Sequence, residues 1–198
     1  MYTVIGKLDT RAFRVLWMLE EIGQHYDWIK AGPRSPEVTQ HNRSGKVPVM
    51  LVDGEPITDS VAIMEFLADR HGALTYAAGT IERARQDAIT NFLIDEMDAL
   101  LWMGARHVFV LPEERRMPEI RDSLKWEFAQ SVDRCAAMLG DQPFLTGDTM
   151  TVPDILAAHC ASWAHAAKYP LENEVFNAFA KRMRGRDAFR RTAALAKS

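Results

Sequence analysis

Apolar positions along the chain recur with two spacings, and the change between them divides the sequence. Tyr2 to Ile5 is a short aromatic and β-branched run stopped by Gly6, the pattern of a strand. Residues 11–22, RAFRVLWMLEEI, place Phe13, Leu16, Trp17 and Ile22 near one another on a helical wheel. Val15, Met18 and Leu19 widen that stripe, and Gly23 follows as a C-cap. Tyr26 and Trp28 mark a second strand, ended by Gly32-Pro33, and the polar residues 35–44 leave room for one short helix. Val47 to Val52 and Glu55 to Thr58 read as strands joined at Asp53-Gly54, a dipeptide suited to a type I′ turn, in which both central residues need positive φ. Pro48 cannot donate to a ladder, so this end of its strand should be an edge or a bend. Asp59 and Ser60 stand where a helix must start, ahead of Val61, Ile63, Met64, Phe66 and Leu67. The order through residue 72 is therefore β-α-β-α-β-β-α.

After a connector at about 72–80, the period is helical throughout. Ile81, Ala84, Ala88 and Phe92 begin a long helix that Leu100, Met103 and His107 extend, with a bend expected near Gly104 and an end at Pro112. Residues 118–139 form the next helix, through Ile120, Leu124, Phe128, Val132, Cys135 and Leu139. A loop rich in Gly, Asp and Pro leads to Thr151-Val-Pro-Asp154, a variant capping box. In it Thr151 accepts from the amide three residues on and Asp154 reaches back. The helix it opens runs toward Tyr169, and two shorter helices, around 173–184 and 187–196, follow.

Composition narrows the function classes. With 198 residues and 47% hydrophobic content the chain can bury a sizeable core as one large or two small domains. Residues 1–78 carry 8 Lys/Arg against 10 Asp/Glu and the remainder 16 against 17, so neither half has the basic footprint of nucleic-acid binding. No apolar run approaches the roughly 20 residues of a membrane span, and the first residues do not read as a signal peptide. Cys135 and Cys160 form no spaced cluster and the six histidines no metal-ligand spacing. No metal is expected, and a reducing, cytoplasmic setting is the default.

The segment Asn42 to Pro48, Asn-x-x-Gly-Lys-Val-Pro, is followed by the hairpin and then by the Asp59-Ser60 pair. These three features, in this order and spacing, resemble the glutathione-binding core of the cytosolic glutathione transferases. The loop Pro143 to Gly147 with the box at Thr151 to Asp154 extends the resemblance over nearly the whole chain. It implies an α+β fold: a thioredoxin-like domain over residues 1–75, then an all-helical domain over 80–198 that contributes an acceptor pocket. It further implies glutathione as co-substrate, a small hydrophobic electrophile as acceptor, and a homodimer.

The chemistry such a protein needs can be set against the residues. Glutathione carries two carboxylates and a thiol, and only the thiolate is a good nucleophile. By resemblance, Ser60, Asp59 and the nearby amides would bind the γ-glutamyl carboxylate, at a helix N-terminus that presents unsatisfied N–H groups. The bland alternative is that either residue only caps the helix. Val47 would pair its backbone with the cysteinyl part as an added strand, with a cis bond before Pro48. Lys46 would meet the glycyl carboxylate, or is an exposed lysine. Thr10 stands where the family often has a serine and would donate its hydroxyl to the thiolate, with Arg11 a second candidate by charge. Asp9 opposes this, since a nearby anion raises a thiol pKa; Asp9 or Thr10 can equally be a cap. Met103, Arg106 and His107, with Trp102, are candidates for the acceptor pocket, although such spacing also fits a core, and His107 can serve as a base or be a satisfied histidine. The leading reading is a glutathione transferase. Other glutathione-dependent reactions (isomerisation, dehalogenation, peroxide reduction) and a non-catalytic binding module are the alternatives.

Overall fold

The computed structural model describes residues 1–197, which divide into two compact units: 1–78 with the segment from Arg184 on, and Gly79–Met183. In the first unit, strands β1 (Tyr2–Ile5), β2 (Tyr26–Ile29), β3 (Val49–Val52) and β4 (Glu55–Thr58) form one mixed sheet in the order β2-β1-β3-β4. β1 runs parallel to β2, as the crossover through helix α1 (Ala12–Glu21) requires, and antiparallel to β3. A thioredoxin-like sheet unit followed by helices is thus the observed architecture. Val4 and Ile5 on the inner strand β1 are fully buried, whereas β2 alternates half-buried Tyr26 and Trp28 with exposed Asp27 and Ile29.

The hairpin turns where its sequence demands, with φ of 51° at Asp53 and 94° at Gly54. Of the two expectations for Pro48, an edge or a bend, the bend is what forms: the chain bends at Val47, ahead of the strand. β3 is an inner strand, and Pro48 lies just ahead of its first residue, so the ladder keeps all its donors. It is Pro56 that sits in an edge strand, β4, where a missing N–H is tolerated. A short helix α2 (Pro36–Thr39) precedes the hairpin and helix α3 (Ser60–His71) follows it.

Two early contacts fix α1 in this unit. Gly6 ends β1 so close to the helix that a Cβ there would stand 2.5 Å from the Ala12 Cβ. The last helix, α9 (Asp187–Ala194), is the element to which Arg186 forms the N-cap. Phe189 packs edge-on against Phe13 and Trp17, at 5.1 and 5.0 Å between ring centres. Arg186 grips Glu21 with two bonds of 2.7 and 2.8 Å, and Arg191 donates to Glu20 at 2.6 Å.

The second unit is helical. The long helix expected from residue 81 is continuous but holds two π segments: α4 (Ile81–Leu93), a π segment (Ile94–Asp98), α5 (Ala99–Ala105) and a second π segment (Arg106–Val110). Tyr169 packs against Gly104, inside α5. Its hydroxyl donates to the Leu100 carbonyl at 3.4 Å, and an alanine Cβ at position 104 would overlap the Tyr169 hydroxyl oxygen. Gly104→Ala should therefore cost about 1–3 kcal/mol by overpacking, with Tyr169→Phe recovering part of the loss; urea unfolding of the single and double variants tests this. Then come α6 (Ile120–Leu139), the buried helix α7 (Val152–Ala167) and α8 (Glu174–Arg184). The box that opens α7 forms in both directions, between Thr151 and Asp154.

Candidate active site

The Asn-x-x-Gly-Lys-Val-Pro segment is a loop held by its own residues. Asn42 Oδ1 accepts from the Ser44 amide at 3.1 Å and the Ser44 hydroxyl at 2.8 Å, and its Nδ2 donates to the Lys46 carbonyl at 2.9 Å. Gly45 adopts φ of +68°, and its carbonyl accepts from the Arg34 amide at 2.8 Å; a Cβ at this glycine would meet Arg34 Cα at 3.2 Å. The loop delivers a cis peptide at Val47–Pro48, as the resemblance implied. The Val47 side chain packs on a small core of Ile5, Ala31, Val38 and Val49. Its backbone is left over: among the described residues the Val47 N–H and C=O make no hydrogen bond.

Hairpin register brings this backbone to the start of α3. Val49 pairs with Thr58, so Val47 enters and Ser60 leaves at the same end of the hairpin. Asp59 has φ of 73°, and its carboxylate accepts from the amides of Val61 at 2.9 Å and Ala62 at 3.2 Å. Asp59 is therefore the cap, and two amides expected for a ligand are already taken. What remains at the helix mouth is Ser60, buried at 2% exposure, whose oxygen accepts from Arg14 Nη1 at 3.4 Å. Arg14, only 1% exposed, is a residue that reading the α1 stripe missed. An arginine between Phe13 and Val15 on an apolar helix was the available signal.

The β1–α1 loop lies beside Val47, since the space above Gly6 is bounded by Ala12, Val47 and Pro48. Within it, the Thr10 hydroxyl donates to the Lys7 carbonyl at 2.6 Å and accepts from the Ala12 amide at 3.2 Å. The Thr10 proton is thus engaged, and this residue acts as a local cap for α1. Arg11 occupies the N-cap position with helical backbone angles and no side-chain cap bond. Lys46 is exposed.

In the helical unit, Met103, Arg106 and His107 are half-buried where α5 gives way to the second π segment. His107 Nδ1 accepts from the Met117 amide at 3.0 Å, so its proton resides on Nε2 and Nδ1 is no longer available as a base. Two open grooves of this unit, of about 630 and 790 Å³, are lined around Trp126 and touch none of these three residues. Among the described residues no group of three or more His, Cys, Asp or Glu gathers to hold a metal ion, and no helix is long and apolar enough to cross a membrane.

A thioredoxin-like unit with an open strand end beside a helix mouth, continued by a helical unit, defines a class that the comparisons with known proteins identify. Residues 10–70 match the family model for the glutathione S-transferase N-terminal domain. The chain is 32% identical over 148 residues to glutathione S-transferase GstA of Escherichia coli O157:H7, covering 72% of this chain and 69% of that one. It is 36% identical over 88 residues to maleylacetoacetate isomerase of Rhizobium meliloti (strain 1021), a match spanning only 41% of either protein. Among solved structures, Gtt2 from Saccharomyces cerevisiae superposes with a TM-score of 0.84 at 20% identity, over 96% of this chain and 99% of that one. The theta class transferase of Xanthomonas axonopodis pv. citri, solved with glutathione bound, gives 0.79 at 23% identity over 96% of each chain. The chain belongs to the glutathione S-transferase family.

Proposed function

We propose that this protein is a glutathione transferase: it binds glutathione at Val47 and Ser60 and directs its thiolate at a small electrophilic, apolar acceptor. The observation that carries the reading is the Val47 backbone, whose donor and acceptor find no partner among the described residues, at the hairpin end where α3 begins. A peptide ligand completes this edge by strand addition. In this reading its γ-glutamyl carboxylate then meets Ser60, and Lys46 meets the glycyl carboxylate. In the reaction the thiol proton passes to solvent, and the sulfur lone pair forms a C–S bond as the acceptor loses its leaving group or takes up a proton. Catalysis comes from orientation and thiolate stabilisation, with no covalent enzyme intermediate. In this reading the helical unit supplies acceptor contacts, with Met103, Arg106 and His107 as candidates. A homodimer and a cytoplasmic setting belong to the same reading.

Retention on immobilised glutathione and turnover of an activated aryl halide test this. Ser60→Ala should weaken glutathione binding by about 10- to 100-fold, the worth of a hydrogen bond to a charged group. A wild type that neither retains nor conjugates glutathione would remove the proposal.

A second reading, a non-catalytic glutathione-binding module, is favoured by one observation. The Thr10 proton is spent on the Lys7 carbonyl, with Asp9 alongside, which leaves Arg11 as the other candidate for the sulfur. Glutathione bound with background turnover selects the module. Equal turnover in Thr10→Ala assigns thiolate stabilisation to another group. The match to an isomerase makes a glutathione-dependent isomerisation the natural further assay.

A further inference from the structure

We infer that the groove between α6 and the end of α7 is a binding site for a nucleoside diphosphate, with Trp126 stacking on the base and Lys125, His165 and Lys168 meeting the phosphates. The site lies wholly within the helical unit and does not rest on the glutathione reading.

Two helices build it. Lys125 and Trp126, with Ala129 one turn on, come from α6, and His165 and Lys168 come from the last turn and the C-cap of α7. Lys168 adopts φ of 58°, which takes the chain out of the helix, and its amide donates to the His165 carbonyl at 3.2 Å. Tyr169 then anchors the corner. Its ring packs edge-on against Phe128 at 5.4 Å between centres, and its hydroxyl holds the Leu100 carbonyl. Arg121 donates to the Ala167 carbonyl, so the negative end of α7 is covered by a cation. Pro170 and Leu171 add apolar surface from the chain that leaves α7.

The ligand's chemistry follows from what these walls offer. Trp126 is 66% exposed, and a free indole is a platform on which any nucleobase stacks. Beside it, Lys125, His165 and Lys168 line a groove with no Asp or Glu in its walls, and among the described residues their side chains make no hydrogen bond or ion pair. The second groove that Trp126 borders has the reverse sign. Asp95, Glu96, Glu127 and Asp133 line it against Arg134, which is already paired with Glu96. An anion carrying a flat ring is therefore steered into the first groove and away from the second. A volume of about 630 Å³ admits a molecule of nucleotide size. Two ammonium groups and an imidazole exceed what one carboxylate can pair with, whereas a diphosphate brings several charges and several acceptor oxygens. Glutathione has no ring to stack.

Calorimetry on the intact protein at low salt, with ADP as the probe, tests this. ADP should bind, with adenosine and pyrophosphate each weaker by about 10-fold or more. Trp126→Ala should weaken ADP by about 10- to 100-fold and leave pyrophosphate binding as it is, and Trp126→Phe should recover part of the loss. The double variant Lys125→Gln, Lys168→Gln should act the other way: ADP loses about 10-fold and most of its salt dependence, and adenosine is unaffected. Glu127→Gln, in the acidic groove, should not weaken ADP. All of these side chains stand at the surface, so the midpoint of urea unfolding and retention on immobilised glutathione should be those of wild type. Absence of ADP binding at millimolar concentration overturns the inference, as does ADP bound equally by Trp126→Ala, or pyrophosphate bound as tightly as ADP. Anthraquinone-2-sulfonate bound where ADP is not would assign the groove to simple aryl anions and overturn the nucleotide.

Discussion

Replacing Asp154 by alanine is expected to remove about 3–5 kcal/mol of folding stability, because two buried amides and a hydroxyl lose their acceptor together. Asp154 is fully buried. One carboxylate oxygen accepts from the Leu145 amide at 2.8 Å, and the other from the Thr151 amide at 2.8 Å and the Thr151 hydroxyl at 3.2 Å. The carboxylate thus ties the incoming loop to the first turn of α7, whose residues from Val152 to Ala158 are all buried. An exposed cap is worth about 1 kcal/mol; this one costs more to lose because water cannot replace it. Urea unfolding with an unchanged slope is the measurement.

The same residue sets a pH dependence. Burial pushes the Asp154 carboxyl up from 3.8 to about 6, against the three hydrogen bonds that favour the charged form. The folded state then holds a proton that the unfolded chain releases, so the stability this group contributes is present below about pH 4 and lost as pH rises through about 6. Wild type measured against Asp154→Asn should lose relative stability over that window. A difference that is flat, or that grows with pH, would show that the hydrogen bonds outweigh desolvation.

Gly6→Ala should have an effect of similar size, about 3 kcal/mol, through overpacking. The new Cβ would stand 2.5 Å from the Cβ of Ala12, itself fully buried, and neither atom is the end of a flexible side chain. Either β1 or α1 must shift. Val47 Cβ and Pro48 Cα border the same space at 3.5 and 3.8 Å, so the shift reaches the proposed ligand backbone. Retention on glutathione should fall along with the midpoint of unfolding. Gly54→Ala serves as the control. It has nothing within 4 Å and only its φ of +94° to oppose it, so it should cost about 1 kcal/mol without touching retention.

What the sequence revealed was set by local rules. Asp53-Gly54 announced its turn, Thr151 and Asp154 announced their helix, and alternation against helical period separated strands from helices. What it hid depends on partners far along the chain. Asp59 and Ser60 are both good caps, and only the backbone angle of Asp59 assigns the cap to it. Arg14 looks like a misplaced charge until Ser60, 46 residues on, is seen beside it. The π segments leave the apolar pattern almost intact, and Tyr169, whose ring fills the space beside Gly104, bonds to a carbonyl 69 residues away. Thr10 is a different case: its acceptor, the Lys7 carbonyl, is local, but the loop conformation that brings the two together carries no mark in the sequence.

The strand-bearing unit is not a contiguous piece of polypeptide. Trp17 and Phe13 are covered by Phe189, and the ion pairs that seal α1 join residues separated by 165 and 171 positions. During synthesis the sheet therefore leaves the ribosome early yet waits, with an aromatic flank uncovered, until the whole helical half has been made. A fragment ending at residue 78 would carry that flank permanently into water, a poor candidate for an autonomous module however complete its strands.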